Sequence, residues 1–151
     1  MSPSARTTHD HDHDHDADPV ADPIAVALAF HRAVEEGHHG EDLRGLVDPG
    51  VVLVEHPNPV TPRGARSGWA EMLAQSRAGA ELLARQHYDV HDASALGDTA
   101  VLRLTWTGEV AADRGPFRAG QRLTAEIAQF VTVAQGRITR IETFDCYHPF
   151  A

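Results

Sequence analysis

The chain has 151 residues, 42% of them hydrophobic, which is enough for one domain with a buried core. Its formal net charge is −9 and its 13 basic residues are all arginine, so an acidic chain without an arginine cluster is a poor candidate for nucleic-acid or anionic-membrane binding. A single cysteine, Cys146, excludes an intrachain disulfide.

Residues 1–23 are a low-complexity segment that contains the run HDHDHDHD over residues 9–16. Because it is almost free of apolar side chains, it cannot offset the entropy of ordering, and we expect a disordered tail followed by a folded domain over residues 24–151. Imidazole and carboxylate groups bind divalent metals, but the tail is read as solubilising, with no metal or cofactor expected. The chain has no apolar run of membrane length and no secretory signal, so a cytoplasmic protein is predicted.

Removal of residues 1–20 is expected to leave the melting temperature and any activity almost unchanged, because this segment has little that can pack on the domain. Thermal denaturation of the full and truncated chains checks this. A fall of several degrees without added metal would show that the tail docks.

The first part of the domain is predicted to hold three helices. Asp22 is a suitable N-cap, and Pro23 takes the first position of a helix that ends at Gly37. Two more helices are predicted over residues 41–48 and about 69–84. Together they provide one side of the core.

Strands account for the rest of the domain. A first strand, 51–60, begins with β-branched residues and is ended by prolines. Alternating patterns separated by short turns predict further strands within residues 85–96, 97–110, 122–133 and 137–147. Helices followed by hairpin-connected strands indicate an α+β fold, with a curved antiparallel sheet packed on three N-terminal helices.

The last strand mixes apolar and ionisable residues on both faces. One parity holds Ile141, Thr143, Asp145 and Tyr147, and the other holds Arg140, Glu142, Phe144 and Cys146. Most strands bury one face and expose the other, so this pattern indicates that neither face is simply solvent-exposed.

The segments VEHPNPVTPRGARSG (residues 54–68) and FVTVAQGRITRIETFD (residues 130–145) resemble the nuclear-transport-factor-2-like superfamily, in particular its SnoaL-like polyketide cyclase and ketosteroid isomerase branches. The resemblance covers residues 24–150. It implies a cone-shaped fold that encloses a pocket for a small ligand, and often a homodimer through the convex face. On that pattern Ile141, Thr143 and Asp145 point into the cone, while Arg140, Glu142 and Phe144 point towards a partner subunit.

The catalytic positions implied by the resemblance are only partly filled. His56 matches the general base of ketosteroid isomerase, whereas Phe30 and Ala128 match its two oxyanion donors. Thr143 matches the last-strand aspartate of the cyclases, and Arg103 matches the arginine of limonene epoxide hydrolases without its acidic partner. The resemblance therefore implies the fold but no complete set of catalytic residues. In particular, Phe30 and Ala128 are apolar and cannot stabilise an enolate as the two oxyanion donors would.

Four ionisable residues are the candidate catalytic groups. His56 or Asp145 would move a proton, Glu126 would act as the complementary acid, and Arg103 would hold the carboxylates or a developing oxyanion. Arg103 and Glu126 are equally consistent with a structural ion pair or with positions on the convex face. Residues expected to contact a substrate are Phe30, Trp69, Thr105, Thr143 and Tyr147.

Two classes of function remain open at this point. The leading one is a cofactor-independent acid–base enzyme that acts on a small, mostly apolar secondary-metabolite intermediate by cyclisation, isomerisation, dehydration or epoxide opening. The alternative is a non-catalytic small-molecule carrier or interaction module on the same scaffold. A homodimer is also expected, because Leu102, Leu104 and Trp106 share one parity and are predicted, with Phe144, to make the convex face apolar.

Overall fold

The computed structural model describes residues 21–150, so the predicted tail over residues 1–23 lies almost wholly outside the described residues. Two α-helices, one 3₁₀ turn and six strands make up the described part. They are α1 (Pro23–Glu35), the 3₁₀ turn (Gly40–Leu43), β1 (Val47–Glu55), β2 (Ala65–Ser67), α2 (Trp69–Leu82), β3 (Leu83–Leu96), β4 (Thr99–Val110), β5 (Arg122–Ala134) and β6 (Arg137–Tyr147).

Helix α1 begins where the sequence predicts. The Asp22 side chain accepts a hydrogen bond from the Ile24 backbone N–H at 3.0 Å, and Pro23 stands at the first helical position. The helix ends before Gly37, which has a φ of 88° and releases the chain from the helical path. Its buried residues include Ala27, Phe30, His31 and Ala33, which face the sheet.

The predicted helix over residues 41–48 is wrong, so the domain has two α-helices rather than three. Only the 3₁₀ turn forms there, and β1 already begins at Val47. Val47 pairs with Ile138 of β6, and both side chains are completely buried. Burial of this strand against the core outweighs the helical pattern of a short segment, and Pro49 falls within a break in the strand register.

The six strands form one curved sheet in the order β2-β1-β6-β5-β4-β3. All neighbours are antiparallel except β1 and β6, which are parallel, so the expectation of a wholly antiparallel sheet is corrected. The helices pack on one face, here called the inner face, and the other is called the outer face. No helix within residues 21–150 is both long and apolar enough to cross a membrane.

The face assignment of β6 is confirmed, and that of β4 is wrong. Ile141 and Thr143 are buried on the inner face, whereas Phe144 is 39% exposed on the outer face. Leu102 and Leu104, predicted on the convex face, are 1% and 0% exposed in the core. Alternation along a strand shows which residues share a face but does not show which face is buried.

Candidate functional site

A cavity of about 600 Å³ lies between the inner face of the sheet, the C-terminal end of α1 and helix α2. Its wall combines apolar and polar side chains in similar numbers, and a cavity with convergent polar groups is a candidate small-molecule site. The apolar lining includes Phe30, Met72, Leu83, Trp106 and Ile127. The polar lining includes Glu35, Gln86, Tyr88, Gln129, Asp145 and Tyr147.

Asp145 brings a carboxyl group into this cavity from β6. Thr143, two residues earlier on the same face, donates a hydrogen bond from Oγ1 to Asp145 Oδ1 at 2.5 Å. Burial raises the pKa of Asp145, the Thr143 hydrogen bond opposes that rise, and the negative charge of Glu55 adds to it. A carboxyl group with a raised pKa in an apolar cavity is suited to accept a proton and return it.

Glu35, the other carboxylate of the cavity wall, already has protein partners. It accepts a hydrogen bond from the Tyr88 backbone N–H, on the edge strand β3, and its Oε1 lies 3.0 Å from His87 Nδ1. These contacts satisfy an unpaired N–H of the sheet edge. Glu35 therefore has a structural role at the sheet edge, and Asp145 is the better candidate for the acid–base group.

Two tyrosine hydroxyls share the cavity with Asp145. Burial raises the pKa of both Tyr88 and Tyr147, and the Asp145 charge raises each further. Both tyrosines therefore stay protonated and remain hydrogen-bond donors at neutral pH.

A buried histidine fixes two of the polar residues in this wall. His31 of α1 is 3% exposed, and its Nε2 lies 2.9 Å from Gln129 Oε1. Burial lowers the pKa of His31 to about 4, so the ring is neutral and donates to the amide oxygen. The imidazole also packs on the Tyr88 ring, with centroids 4.4 Å apart.

The structure brings together four of the residues predicted for the site. Asp145, Tyr147 and Phe30 line the cavity, and Thr143 holds the Asp145 carboxyl from beside it. Sequence reasoning missed Gln86, Tyr88 and Gln129, which also line it. Of these three, only Gln129 is recognisable in the sequence, because it is a polar residue between Ile127 and Val131 on an otherwise apolar face of its strand.

Glu126 and Arg103 were predicted to point inward, and this orientation is wrong for both. Glu126 is on the outer face, where it accepts a hydrogen bond from Thr105 Oγ1 at 2.7 Å and lies 3.2 Å from His148 Nε2. The Thr105 hydrogen bond lowers the Glu126 pKa, so this is an ionised surface carboxylate. Arg103 pairs with Asp92 rather than with Glu126.

His56 also lies on the outer face, contrary to its predicted orientation. Its Nε2 lies 3.0 Å from Glu142 Oε2, and its ring stacks on Phe144 with centroids 4.0 Å apart. The inward residue at this end of β1 is Glu55, which is in register with Thr143. A shift of one residue along a strand reverses the face, which explains the difference.

Two predicted substrate contacts do not line the cavity. Trp69 packs against the core from the first turn of α2, and Thr105 lies on the outer face beside Glu126 and His91. Within residues 21–150, no group of three or more His, Cys, Asp or Glu side chains has an arrangement that would hold a metal ion. The His/Asp run over residues 9–16 lies outside the described residues.

Several solved structures share this fold. Wild-type IdmH from Streptomyces antibioticus, a proposed polyketide cyclase, matches with a TM-score of 0.69 at 19% identity, over 83% of this chain and 92% of that one. AclR from Streptomyces galilaeus, a proposed hydroxylase, gives 0.69 at 16% identity over 84% and 80%. An LEH-like epoxide hydrolase from M. tuberculosis gives 0.62 at 16% identity over 82% and 81%.

These identities are low, so the similarity establishes the fold and leaves the activity open. None of the curated protein sequences is detectably similar to the chain. The sequence model of the SnoaL-like domain matches residues 27–141, which include most of the helices and strands described above. The chain therefore belongs to the SnoaL-like domain family of the nuclear-transport-factor-2-like superfamily.

Proposed function

We propose that this protein is a cofactor-independent enzyme that moves a proton on a small, mostly apolar secondary-metabolite intermediate, with Asp145 as its acid–base group. The observation that carries the proposal is the carboxyl group of Asp145, whose pKa burial raises, in a partly apolar cavity that two protonated tyrosines also line. Such a set suits proton removal next to a carbonyl group. Isomerisation and cyclisation both begin with that step.

In the proposed step, the Asp145 carboxylate takes a proton from the carbon next to a ketone. The electron pair of the broken C–H bond moves into the new C–C double bond, and the carbonyl oxygen becomes an enolate oxygen. The hydroxyl of Tyr147 would donate a hydrogen bond to that oxygen. In a β,γ-unsaturated ketone, return of the proton from Asp145 to the γ-carbon completes an isomerisation. In a diketone, attack of the enolate carbon on the second carbonyl forms the ring bond, and the new alkoxide takes the proton from Asp145 to complete a cyclisation.

The apolar wall contributes to the strength of this base. Phe30, Met72 and Ile127 keep much of the cavity surface free of hydrogen-bonding groups. A carboxylate that water solvates poorly binds a proton more tightly, and its pKa moves towards that of a carbon acid. These apolar side chains favour a substrate with apolar groups that can pack against them.

A carrier remains the second candidate, supported by one observation. Phe30 lines the cavity and Ala128 belongs to the outer-face parity of β5, so neither position matched to an oxyanion donor holds a polar group. A cavity that lacks donors at both of these matched positions can bind a ligand and release it unchanged. The two classes differ in whether bound ketone exchanges hydrogen.

Hydrogen exchange of β-tetralone in heavy water separates the enzyme from the carrier. We expect the protein to accelerate the loss of the α-hydrogen signal in proton NMR well above the rate in buffer alone. Binding of the ketone without acceleration would contradict the proposed proton transfer and would support the carrier.

We also propose a two-fold homodimer through the outer face, in a cytoplasmic protein. Support comes from Phe144, which is 39% exposed and stands in an aromatic cluster with His56 and Phe130. An aromatic cluster at a sheet surface is typical of an interface core. The single cysteine fits a reducing compartment.

The Phe144→Glu variant is expected to be monomeric, because it places a charge in the centre of the proposed interface. Sedimentation velocity at protein concentrations on the order of tens of micromolar should show a dimer for the wild-type protein and a monomer for this variant. Leu96→Glu is the matched control, since Leu96 is 70% exposed at the β3–β4 turn. A monomeric wild-type protein would contradict the dimer.

A further inference from the structure

Gln86 has a fixed orientation in the cavity wall. Its Oε1 lies 3.0 Å from Trp106 Nε1 and 3.4 Å from the Tyr88 hydroxyl. An indole N–H can only donate, so the amide atom that faces it must be the oxygen. The chemistry of Trp106 therefore decides which way the Gln86 amide points.

The amide nitrogen of Gln86 is left with two donor hydrogens. Within residues 21–150 this nitrogen makes no hydrogen bond to protein, although Gln86 lines the cavity. A polar donor in a binding cavity favours a ligand that carries an acceptor at the matching place. The amide cannot turn without losing the Trp106 hydrogen bond, and the Tyr88 hydroxyl is a longer second contact of the same oxygen.

The indole that orients Gln86 is itself held in place. A side chain at Gly108, two residues along the same strand face, would bring a Cβ to 2.7 Å from Trp106 Cζ2 and 3.0 Å from Leu83 Cδ2. The indole therefore lies directly against the Gly108 backbone. On its other side it meets the edge of the Tyr147 ring, with centroids 6.2 Å apart. Trp106 and Gln86 form a rigid pair, which lowers the entropic cost of binding.

We propose that Gln86 is the specificity-determining residue of the cavity, and that it donates a hydrogen bond to a carbonyl oxygen of a small, largely apolar ligand. The inference deepens the proposed function, because it names the chemical class that the same cavity selects. Proton transfer by Asp145 needs such a carbonyl, and Gln86 supplies a reason for a ketone to bind in preference to a hydrocarbon of the same shape.

Fluorenone and fluorene provide a matched pair of probes, since they differ in the carbonyl group and share a flat three-ring frame. We expect the wild-type protein to bind fluorenone about five- to tenfold more tightly than fluorene, as one added hydrogen bond allows. Amide NMR titration measures both affinities and should shift the Gln86 side-chain signals with fluorenone alone. Equal affinities, or no binding of either compound, would overturn the inference without any variant.

The Gln86→Glu variant tests the residue itself. Its carboxylate still accepts from Trp106 but cannot donate to a ligand, so the preference for fluorenone should disappear or reverse. Gln75→Glu is the control, because Gln75 lines the same cavity and the charge change is identical. A preference retained in Gln86→Glu, or lost equally in Gln75→Glu, would contradict the role of Gln86.

Fluorenone has no hydrogen on the carbons next to its carbonyl group, so this binding experiment is independent of proton transfer. A protein that prefers fluorenone but does not exchange β-tetralone keeps the inference and loses the proposed enzyme activity. A protein that exchanges β-tetralone without preferring fluorenone keeps the proposed enzyme activity and loses the inference about Gln86.

Discussion

Replacement of Asp145 by asparagine is expected to lower the rate of β-tetralone exchange by about 10²–10⁴-fold, the usual contribution of a positioned acid–base group. Asparagine keeps the shape and can still accept the Thr143 hydrogen bond, but it cannot take up a proton. Affinity for the ketone should therefore be largely retained. Kinetic and binding measurements on the same variant separate the two effects.

Glu126→Gln is the matched control for this experiment. The substitution is the same carboxylate-to-amide change, but Glu126 lies on the outer face and is hydrogen-bonded to Thr105. We expect nearly unchanged exchange. Full activity in Asp145→Asn, or an equal loss in both variants, would contradict the assignment of Asp145.

The Asp145→Asn substitution should raise the stability of the protein while it lowers the rate of exchange. The folded-state pKa of Asp145 is above its unfolded value, so the folded state binds this proton more tightly. Stability is therefore lost as pH rises from the unfolded to the folded pKa, and at neutral pH the buried charge is unfavourable. Asparagine removes that charge, so Asp145→Asn is expected to melt at a higher temperature than the wild-type protein at neutral pH.

Leu104→Ala is expected to lower the free energy of unfolding by about 2–5 kcal/mol, the range for truncation of a buried leucine. Leu104 is 0% exposed and belongs to the core between the sheet and the helices. Denaturant unfolding measures the loss, and the Leu96→Ala variant, at a site 70% exposed, should change stability little.

The location of Leu104 also decides how this variant behaves in solution. A core leucine affects the folding of each subunit, so the association state measured by sedimentation should remain that of the wild-type protein. A stable variant that dissociates would instead place Leu104 on the outer face, as the sequence pattern alone suggested.

The sequence predicts where the helices and strands lie better than it predicts which face of each strand is buried. The N-cap at Asp22 and the tight turn between β5 and β6 depend on local chemistry, and both are confirmed. At that turn Gln135 and Gly136 have positive φ values of 52° and 77°, which a glycine-containing connection allows. The parallel pairing of β1 with β6 joins residues far apart in the chain, and no local pattern indicates it.

Strand β5 shows why the sequence places Glu126 on the wrong face. One face holds Ala125, Ile127 and Gln129, and the other holds Glu126 and Phe130, so each face mixes apolar and polar groups. Alternation gives the two sets but cannot say which one meets the helices. For β6 the resemblance supplied that missing information, and Asp145 was therefore placed correctly.

Gln86 and Tyr88 depend on tertiary structure in another way. Their position on β3 suggests an ordinary edge strand, and their importance comes from Trp106 and His31, which belong to distant segments. A glutamine becomes a fixed donor only when a donor-only partner holds its oxygen. Such a relation appears once the strands are in register.

The role of Asp145 as the acid–base group is tested by the pH dependence of β-tetralone exchange, measured together with the titration of the Asp145 carboxyl carbon by NMR. The Asp145→Asn variant identifies the carboxyl signal by its absence. We expect the exchange rate to rise with pH through the midpoint at which Asp145 ionises, and we expect this midpoint to lie above the ordinary aspartate value of about 3.9. An exchange rate that does not follow the ionisation of Asp145, or an Asp145 that titrates at the ordinary value, would contradict this role.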